Sequence, residues 1–311
     1  MNQPLPEGFR LVAQGLQFPE GPIALPDGDL LFVEIARGTL SRAAPGGAVT
    51  VVARLGGGPN GAAIGPDGHC YVCNNGGFDW HSDADGLRPT GQARDYTGGR
   101  IERVNLDTGK VDVLYRDVNG VGLRGPNDIV FDKQGGFWFT DAGKGRAREL
   151  DRGGIYYART DGSLISEVVY PMLTPNGIGL SQDERTLYVA ETQTGRVWSF
   201  EITSPGEVRK KPFPSPNGGT LVTGLGGLRL LDSLALDGKG NICVATLFDS
   251  GIAVVSPDGK LVRHVPVPDT FTTNICFGGK GLQTAYITMS QSGRLVSMQW
   301  PEGGQVLNFV E

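Results

Sequence analysis

Short apolar runs separated by turn residues recur along the whole chain. In the clearest copy, Gly125–Asp132, a turn of proline, asparagine and aspartate leads into an apolar run. A glycine-bearing turn follows, and a second apolar run ends at Asp141. Runs of this length between turn residues are typical of β-strands, and no long stretch has the i, i+3, i+4, i+7 apolar spacing of a helix. The pattern therefore predicts an all-β protein.

The pattern occurs six times, with a period of 40 to 67 residues. Each copy predicts up to four strands, and the residue just before the first strand is always Glu, Asn or Asp. These six residues are Glu20, Asn60, Asn127, Asn176, Asp232 and Asn274. Six repeats of four antiparallel strands predict a six-bladed β-propeller that forms a single domain over residues 1–311.

The two ends of the chain predict how the ring of blades closes. The last copy has only three clear strands, and Phe9–Ala13 resembles a fourth strand without a blade of its own. We expect this N-terminal strand to complete the last blade, because doing so removes an open sheet edge. Val306–Val310 is the alternative candidate for the same place.

Antiparallel strand order predicts that the six repeated polar residues lie around one mouth of the central channel. The longest connection, residues 76–98 in blade 2, belongs to the same face. Long connections without structure of their own are often lids, so we interpret 76–98 as a lid, with Trp80 and His81 as candidate substrate contacts. Strand alternation directs Asn127 into the channel, whereas its neighbour Asp128 is expected to face away.

Composition and charge exclude several functions. The net charge is −5 and the basic residues are scattered, which argues against a nucleic-acid surface. No run approaches the ~18 apolar residues of a membrane span, and the first residues lack the features of a signal peptide, so we expect a cytoplasmic protein without membrane contact. Cys70 and Cys73 have the spacing of a redox or zinc motif, but on a strand they face opposite sides, which predicts buried free thiols.

The polar residues at the mouth predict a metal site. Glu20 and Asp232 would supply carboxylates, and Asn127 and Asn176 would supply amide oxygens. Oxygen ligands favour one Ca²⁺ ion, with Mg²⁺, Mn²⁺ or Zn²⁺ as alternatives. No His or Cys occupies these positions, which argues against a zinc site of nitrogen and sulfur ligands.

Sequence symmetry alone leaves open which of the six positions bind the metal. Each Pro-Asn turn is also explained by turn chemistry. Carboxylates that converge without a cation would repel one another, and this favours a metal. We interpret Asn60 and Asn274, at the equivalent positions of blades 2 and 6, as residues that line the substrate pocket or support the ligands.

Motifs along nearly the full chain, from about Gly15 to Ser290, resemble the gluconolactonase/regucalcin (senescence marker protein) family, to which the luciferin-regenerating enzyme belongs. They are Pro19-Glu20-Gly21-Pro22, Arg124-Gly125-Pro126-Asn127-Asp128, Trp138-Phe139-Thr140-Asp141, Thr174-Pro175-Asn176-Gly177 and Thr273–Gly279. The motifs occur in the order that the family has. The resemblance implies a six-bladed propeller with one divalent metal ion in the channel.

The resemblance also implies roles for single residues. Glu20, Asn176 and Asp232 match the family's metal ligands, and Asp232 matches its general base. Asn127 matches an Asn that contacts the substrate and, in several relatives, the metal. Two positions depart from the pattern: a serine follows Asp232 where many relatives have glycine, and Arg124, a candidate substrate contact, lies three residues before Asn127, at an offset that varies among relatives.

These inferences lead to hydrolysis of a small lactone as the functional hypothesis. The metal would polarise the ester carbonyl while Asp232 takes a proton from the attacking water. The same site could instead hydrolyse a phosphotriester or another ester. A propeller that binds a ligand without catalysis is the third alternative. The only partner that the sequence predicts is the small-molecule lactone.

Overall fold

The computed structural model of the protein describes residues 4–310, in which β-strands account for nearly all regular structure. One short 3-10 helix lies at Lys280–Leu282. The strands of the first half are β1 Phe9–Gln14, β2 Pro19–Ala24, β3 Leu30–Glu34, β4 Thr39–Ala43, β5 Val49–Arg54, β6 Pro59–Ile64, β7 Cys70–Asn74, β8 Phe78–Asp83, β9 Gly86–Gln92, β10 Arg100–Val104, β11 Val111–Tyr115, β12 Asp117–Val118, β13 Val121–Gly122, β14 Pro126–Phe131, β15 Gly136–Asp141, β16 Gly153–Arg159 and β17 Ile165–Met172. The remaining strands are β18 Pro175–Leu180, β19 Thr186–Glu191, β20 Arg196–Ser204, β21 Glu207–Arg209, β22 Thr220–Gly224, β23 Leu230–Leu236, β24 Ile242–Leu247, β25 Gly251–Val255, β26 Leu261–Pro266, β27 Thr272–Gly278, β28 Thr284–Met289 and β29 Arg294–Gln299.

These strands form six antiparallel blades, which confirms the predicted six-bladed β-propeller. Blades 1 to 3 are β2-β3-β4-β5, β6-β7-β10-β11 and β14-β15-β16-β17. Blade 4 is β18-β19-β20, with β21 and β22 both paired to β20, and blade 5 is β23-β24-β25-β26. Blade 6 is β27-β28-β29 with β1 as its outer strand. The N-terminal strand therefore completes the last blade, as expected.

A separate hydrophobic cluster fills each of the six seams between neighbouring blades. The second strand of a blade serves two seams, because its side chains alternate between the two faces of the sheet. Trp138 packs against blade 4, for example, while Phe137 and Phe139 pack against blade 2. Such strands are buried on both faces, and this explains their continuous apolar sequences.

The four cysteines belong to this packing and form no disulfide. Cys70 lies in the seam between blades 1 and 2, and Cys73 lies in the seam between blades 2 and 3. Burial raises the pKa of Cys70 to about 12. The prediction of buried free thiols is confirmed.

The C-terminal segment closes one end of the central channel. The first strands of neighbouring blades line this channel, and Gln305 and Asn308 donate hydrogen bonds to the carbonyls of Leu180 and Phe131, where two of these strands end. A cavity of about 130 Å³ lies between this segment and the polar residues at the other end. The C-terminal segment therefore plugs the channel and is not a blade strand. The outer position of blade 6, for which it was the alternative candidate, belongs to β1. Within residues 4–310, no helix is long and apolar enough to cross a bilayer.

Candidate functional site

A β-bulge near the start of each first strand positions the repeated polar residues. Pairing with the second strand is interrupted in all six blades, at Glu20/Ile23, Pro59/Ala62, Pro126/Ile129, Pro175/Ile178, Leu231/Leu234 and Thr272/Asn274. A bulge leaves residues outside the regular ladder and bends the strand, which redirects their side chains. The polar residues therefore lie at the beginning of the first strands, and not before them as the sequence suggested.

Glu20 is the most thoroughly buried carboxylate at the mouth, with 2% of its surface exposed. Its Oε2 accepts hydrogen bonds from Asn274 Nδ2 at 2.7 Å and from the Gly21 backbone N–H at 2.6 Å. Burial nevertheless dominates and raises the pKa of Glu20 to about 7. Asn274 thus orients Glu20 across the junction of blades 1 and 6.

Asp232 lies in blade 5 and remains partly exposed. Loss of contact with water, followed by the negative charges of Glu20 and Asp128, raises the pKa of Asp232 well above its usual range. A hydrogen bond from the Asn176 side chain acts in the opposite direction. Asp232 therefore shares one electrostatic environment with the other carboxylates of the mouth.

Asp128 does not face away from the channel, and here the sequence prediction was wrong. Its carboxyl group is buried, and burial together with the charge of Glu20 raises its pKa to about 7. Its Oδ1 accepts a hydrogen bond from the neighbouring Ile129 backbone N–H, at 3.0 Å. Strict alternation placed Asn127 and Asp128 on opposite sides, but the bulge between Pro126 and Ile129 suspends alternation at this point.

The residues at the mouth fit a hard divalent cation. Asn127 Oδ1 is buried and accepts no hydrogen bond from residues 4–310, a costly condition that a cation would relieve. Burial raises the pKa of all three carboxyl groups, the charge of Glu20 adds to this rise at Asp128, and the charges of Glu20 and Asp128 add to it at Asp232, as expected where no positive charge compensates them. In the part of the chain that the structure describes, no three His, Cys, Asp or Glu side chains form a metal cluster by themselves. The amide oxygens are therefore needed to complete the ligand set.

Residues 78–92 form a hairpin of β8 and β9 that crosses the mouth from blade 2. The Leu87 backbone N–H donates to the carbonyl of Gln291 in blade 6 at 3.0 Å, and the Gln92 N–H donates to Gly145 in blade 3 at 3.1 Å. The connection was expected to be a loop without structure of its own. It is a folded hairpin with fixed contacts on both sides.

A buried lysine holds the base of this hairpin. Lys144 Nζ donates to Asn75 Oδ1 at 2.9 Å and to the Gly77 carbonyl at 2.8 Å, and it lies 3.9 Å from the centre of the Phe78 ring. Burial lowers the pKa of Lys144 to about 7, while the charge of Asp141 opposes that change. Sequence reasoning missed Lys144, because a single lysine in a connection carries no pattern.

The remaining predicted substrate contacts occupy different environments. Asn60 is buried at the start of β6. The Arg124 side chain is exposed, and its carbonyl accepts a hydrogen bond from Tyr96 at 2.7 Å. His81 is exposed and lies 3.1 Å from Asp83, on the outer face of the hairpin. Strand alternation places Trp80 on the other, inner face of the hairpin.

Comparison with known proteins agrees with this architecture. The family model described as SMP-30/Gluconolactonase/LRE-like region matches residues 18–291. A gluconolactonase from Zymomonas mobilis is 26% identical over 91% of this chain and 79% of its own length. Lactonase drp35 from Staphylococcus saprophyticus is 30% identical over 82% of this chain and 71% of its own length. The crystal structure of regucalcin from Agrobacterium tumefaciens, described as a calcium-binding protein, superposes with a TM-score of 0.71 at 19% identity, covering 94% of this chain and 95% of that one. The chain belongs to the SMP-30/gluconolactonase/LRE-like family.

Proposed function

We propose that this protein is a divalent-metal-dependent lactonase whose reaction takes place at the mouth formed by Glu20, Asn127, Asn176 and Asp232. The observation that carries the proposal is the buried Oδ1 of Asn127, which has no hydrogen-bond partner within residues 4–310. It belongs to the same mouth as Glu20, Asp128 and Asp232, whose carboxyl groups have raised pKa values. Relatives named as lactonases support the reaction class.

The four residues would bind the cation with two kinds of ligand. Glu20 and Asp232 would supply two negatively charged ligands, and Asn127 and Asn176 would add oxygens without further repulsion. Oxygen ligands from the protein favour Ca²⁺ over Mg²⁺, which retains more of its water. When bound, the cation would polarise the lactone carbonyl and acidify water.

Asp232 is the group that we assign as general base. Of the three carboxylate residues it is the one that remains partly exposed, whereas Glu20 and Asp128 are buried. Its carboxylate takes a proton from the attacking water, and the protonated group then returns a proton to the ring alkoxide as the ester C–O bond breaks. Asp128 is buried, and its negative charge helps to retain a cation.

The direct test is hydrolysis with Asp232→Asn, which keeps the size of the side chain and removes its basicity. Loss of a general base lowers turnover by roughly 10²–10⁴-fold, while the melting temperature of the metal-free protein in EDTA should not fall. Asp258→Asn is the matched control, because Asp258 lies in the same blade at an exposed turn and pairs with Lys260. Substantial residual turnover in Asp232→Asn would contradict the assignment.

A wider substrate panel separates the proposal from its alternatives. A phosphotriester and an acyclic ester should be tested beside the lactones, with the same enzyme and metal. Preference for the phosphotriester would replace lactone hydrolysis by phosphoryl chemistry at the same residues. A folded protein that binds metal and hydrolyses none of them would indicate a ligand-binding propeller.

A further inference from the structure

Five aromatic side chains form a continuous series across one side of the mouth. The series runs Phe78, Trp80, Phe18, Phe271 and Phe248, and we call it the aromatic wall. Successive ring centres are 6.1, 5.1, 5.8 and 5.8 Å apart, with tilted or edge-to-face contacts. These are the geometries that aromatic rings prefer. The wall joins the hairpin to connections in blades 1, 6 and 5.

Three residues of the wall are close, along the chain or across a strand pair, to residues of the mouth. Phe18 precedes Glu20 by two residues, and Phe271 precedes Asn274, which holds Glu20, by three. Phe248 follows the last residue of β24, and that residue pairs with Leu230, two positions before Asp232. A molecule reacting at Asp232 would therefore extend its non-reacting part towards these rings.

Two residues of the wall have strained backbones. Phe18 and Phe248 adopt φ angles of 58° and 68°, in the left-handed region. This conformation costs a non-glycine residue roughly 1–2 kcal/mol, and most other positions of this chain with positive φ are occupied by glycine. The structure thus places large rings at two positions where glycine would fit the backbone better. The ring of Phe18 is buried and supports its neighbours, whereas the ring of Phe248 is exposed and can meet a ligand.

The wall is also accessible to a ligand, and its rings are already ordered before a ligand binds. Phe248 is 43% exposed, and Phe78, Trp80 and Phe271 are partly exposed. Lys144 fixes the ring of Phe78 from behind. Binding to a surface that is already ordered saves the entropy of ordering it.

We propose that the aromatic wall binds an alkyl or aryl substituent of the lactone, so that this protein prefers apolar substituted lactones to polyhydroxylated sugar lactones. The inference rests on the proposed function for the reacting ring and adds the substituent class. Hydroxyl groups placed against these rings would lose water without gaining hydrogen bonds, which disfavours sugar lactones.

Kinetics with matched lactones tests the inference. The probes are γ-butyrolactone, γ-phenyl-γ-butyrolactone and glucono-1,5-lactone, compared by kcat/KM. We expect Trp80→Ala to lower the ratio of kcat/KM for the phenyl lactone to kcat/KM for γ-butyrolactone about tenfold, the scale of a modest hydrophobic contact. Phe248→Gly should act in the same direction, and it suits the positive φ, so it is not expected to impair folding.

Arg88→Ala is the matched control, because Arg88 is exposed and pairs with His81 on the outer face of the same hairpin. It should not change the ratio of the two kcat/KM values. A preference for glucono-1,5-lactone, with a ratio insensitive to both Trp80→Ala and Phe248→Gly, would overturn the inference while the proposed function stands.

Fluorescence supplies a readout that does not depend on turnover. Trp138, Trp198 and Trp300 are buried, so Trp80 is the tryptophan that a ligand at the mouth can reach. 5-Phenyl-2-pyrrolidinone, a lactam analogue, should change the emission of the wild type and not of Trp80→Phe, also with EDTA present. Binding of the lactam without hydrolysis of any lactone would overturn the proposed function alone, and no response to the lactam would count against the wall.

Discussion

Replacement of Glu20 by Gln should make the metal-free protein more stable at alkaline pH, although it removes a functional residue. Glu20 is 2% exposed and its pKa is raised from 4.5 to about 7 by burial. Between these two pH values the folded protein holds a proton that the unfolded chain has lost. Stability is therefore fully present below pH 4.5 and is lost as the pH rises towards 7.

This rise in the pKa of Glu20 corresponds to roughly 3 kcal/mol. For a chain of 311 residues this is a change in melting temperature of roughly 5 °C. The amide introduced by Glu20→Gln does not ionise, so the variant lacks this loss, and the repulsion felt by Asp128 and Asp232 also decreases. The assay is thermal unfolding in EDTA at pH 5 and pH 8.

We expect the wild type to melt at a lower temperature at pH 8 than at pH 5, and Glu20→Gln to show a smaller difference. Glu201→Gln, at an exposed side chain of blade 4, should behave as the wild type. Ca²⁺ at about 1,000 times its Kd should reverse the order at pH 8, because it stabilises the wild type by about 4.1 kcal/mol, which exceeds the roughly 3 kcal/mol lost at Glu20, and the variant binds it less well. A variant that is less stable than the wild type in EDTA at pH 8 would refute the reasoning.

Three further outcomes follow from the same contacts. Asn127→Leu removes a buried acceptor that has no partner among the described residues. Calorimetry should therefore show that the affinity for Ca²⁺ falls about tenfold or more, while the stability of the metal-free protein does not decrease. Unchanged affinity would exclude Asn127 as a ligand. Lys144→Met removes both hydrogen bonds at the hairpin base. Limited proteolysis should therefore cut residues 78–92 about tenfold faster than in the wild type. Equal rates would contradict the role of Lys144 in anchoring the hairpin. The four buried thiols should not react with an aromatic disulfide at pH 8 until the protein is unfolded, since the thiolate is the reactive form; rapid reaction of the native protein would show that they are accessible.

The fold could be predicted from the sequence because the pattern of strands and turns of one blade recurs six times. Strand order and a missing fourth strand in the last repeat were enough to place β1 beside β29. The same order placed Glu20, Asn127, Asn176 and Asp232 at one mouth, since connections on one side of an antiparallel blade share a face.

The other features of the site depend on three-dimensional contacts that no sequence pattern indicates. The β-bulge brought Asp128 to the site, and a rule of strict alternation cannot foresee a bulge. The hairpin at 78–92 lacks regular alternation of polar and apolar residues, so its strands were not predicted. Lys144 and the aromatic wall unite residues far apart in sequence, and only the folded chain shows their contacts.

The metal dependence of lactone hydrolysis is the decisive test of the proposed function. A pH-indicator assay would compare sugar, aliphatic and aryl-substituted lactones for the untreated protein, the EDTA-treated protein, and the treated protein restored with Ca²⁺, Mg²⁺, Mn²⁺ or Zn²⁺. We predict that at least one lactone is hydrolysed, that EDTA abolishes this activity, and that a divalent ion, Ca²⁺ foremost, restores it. Absence of hydrolysis for every lactone under every metal would contradict it.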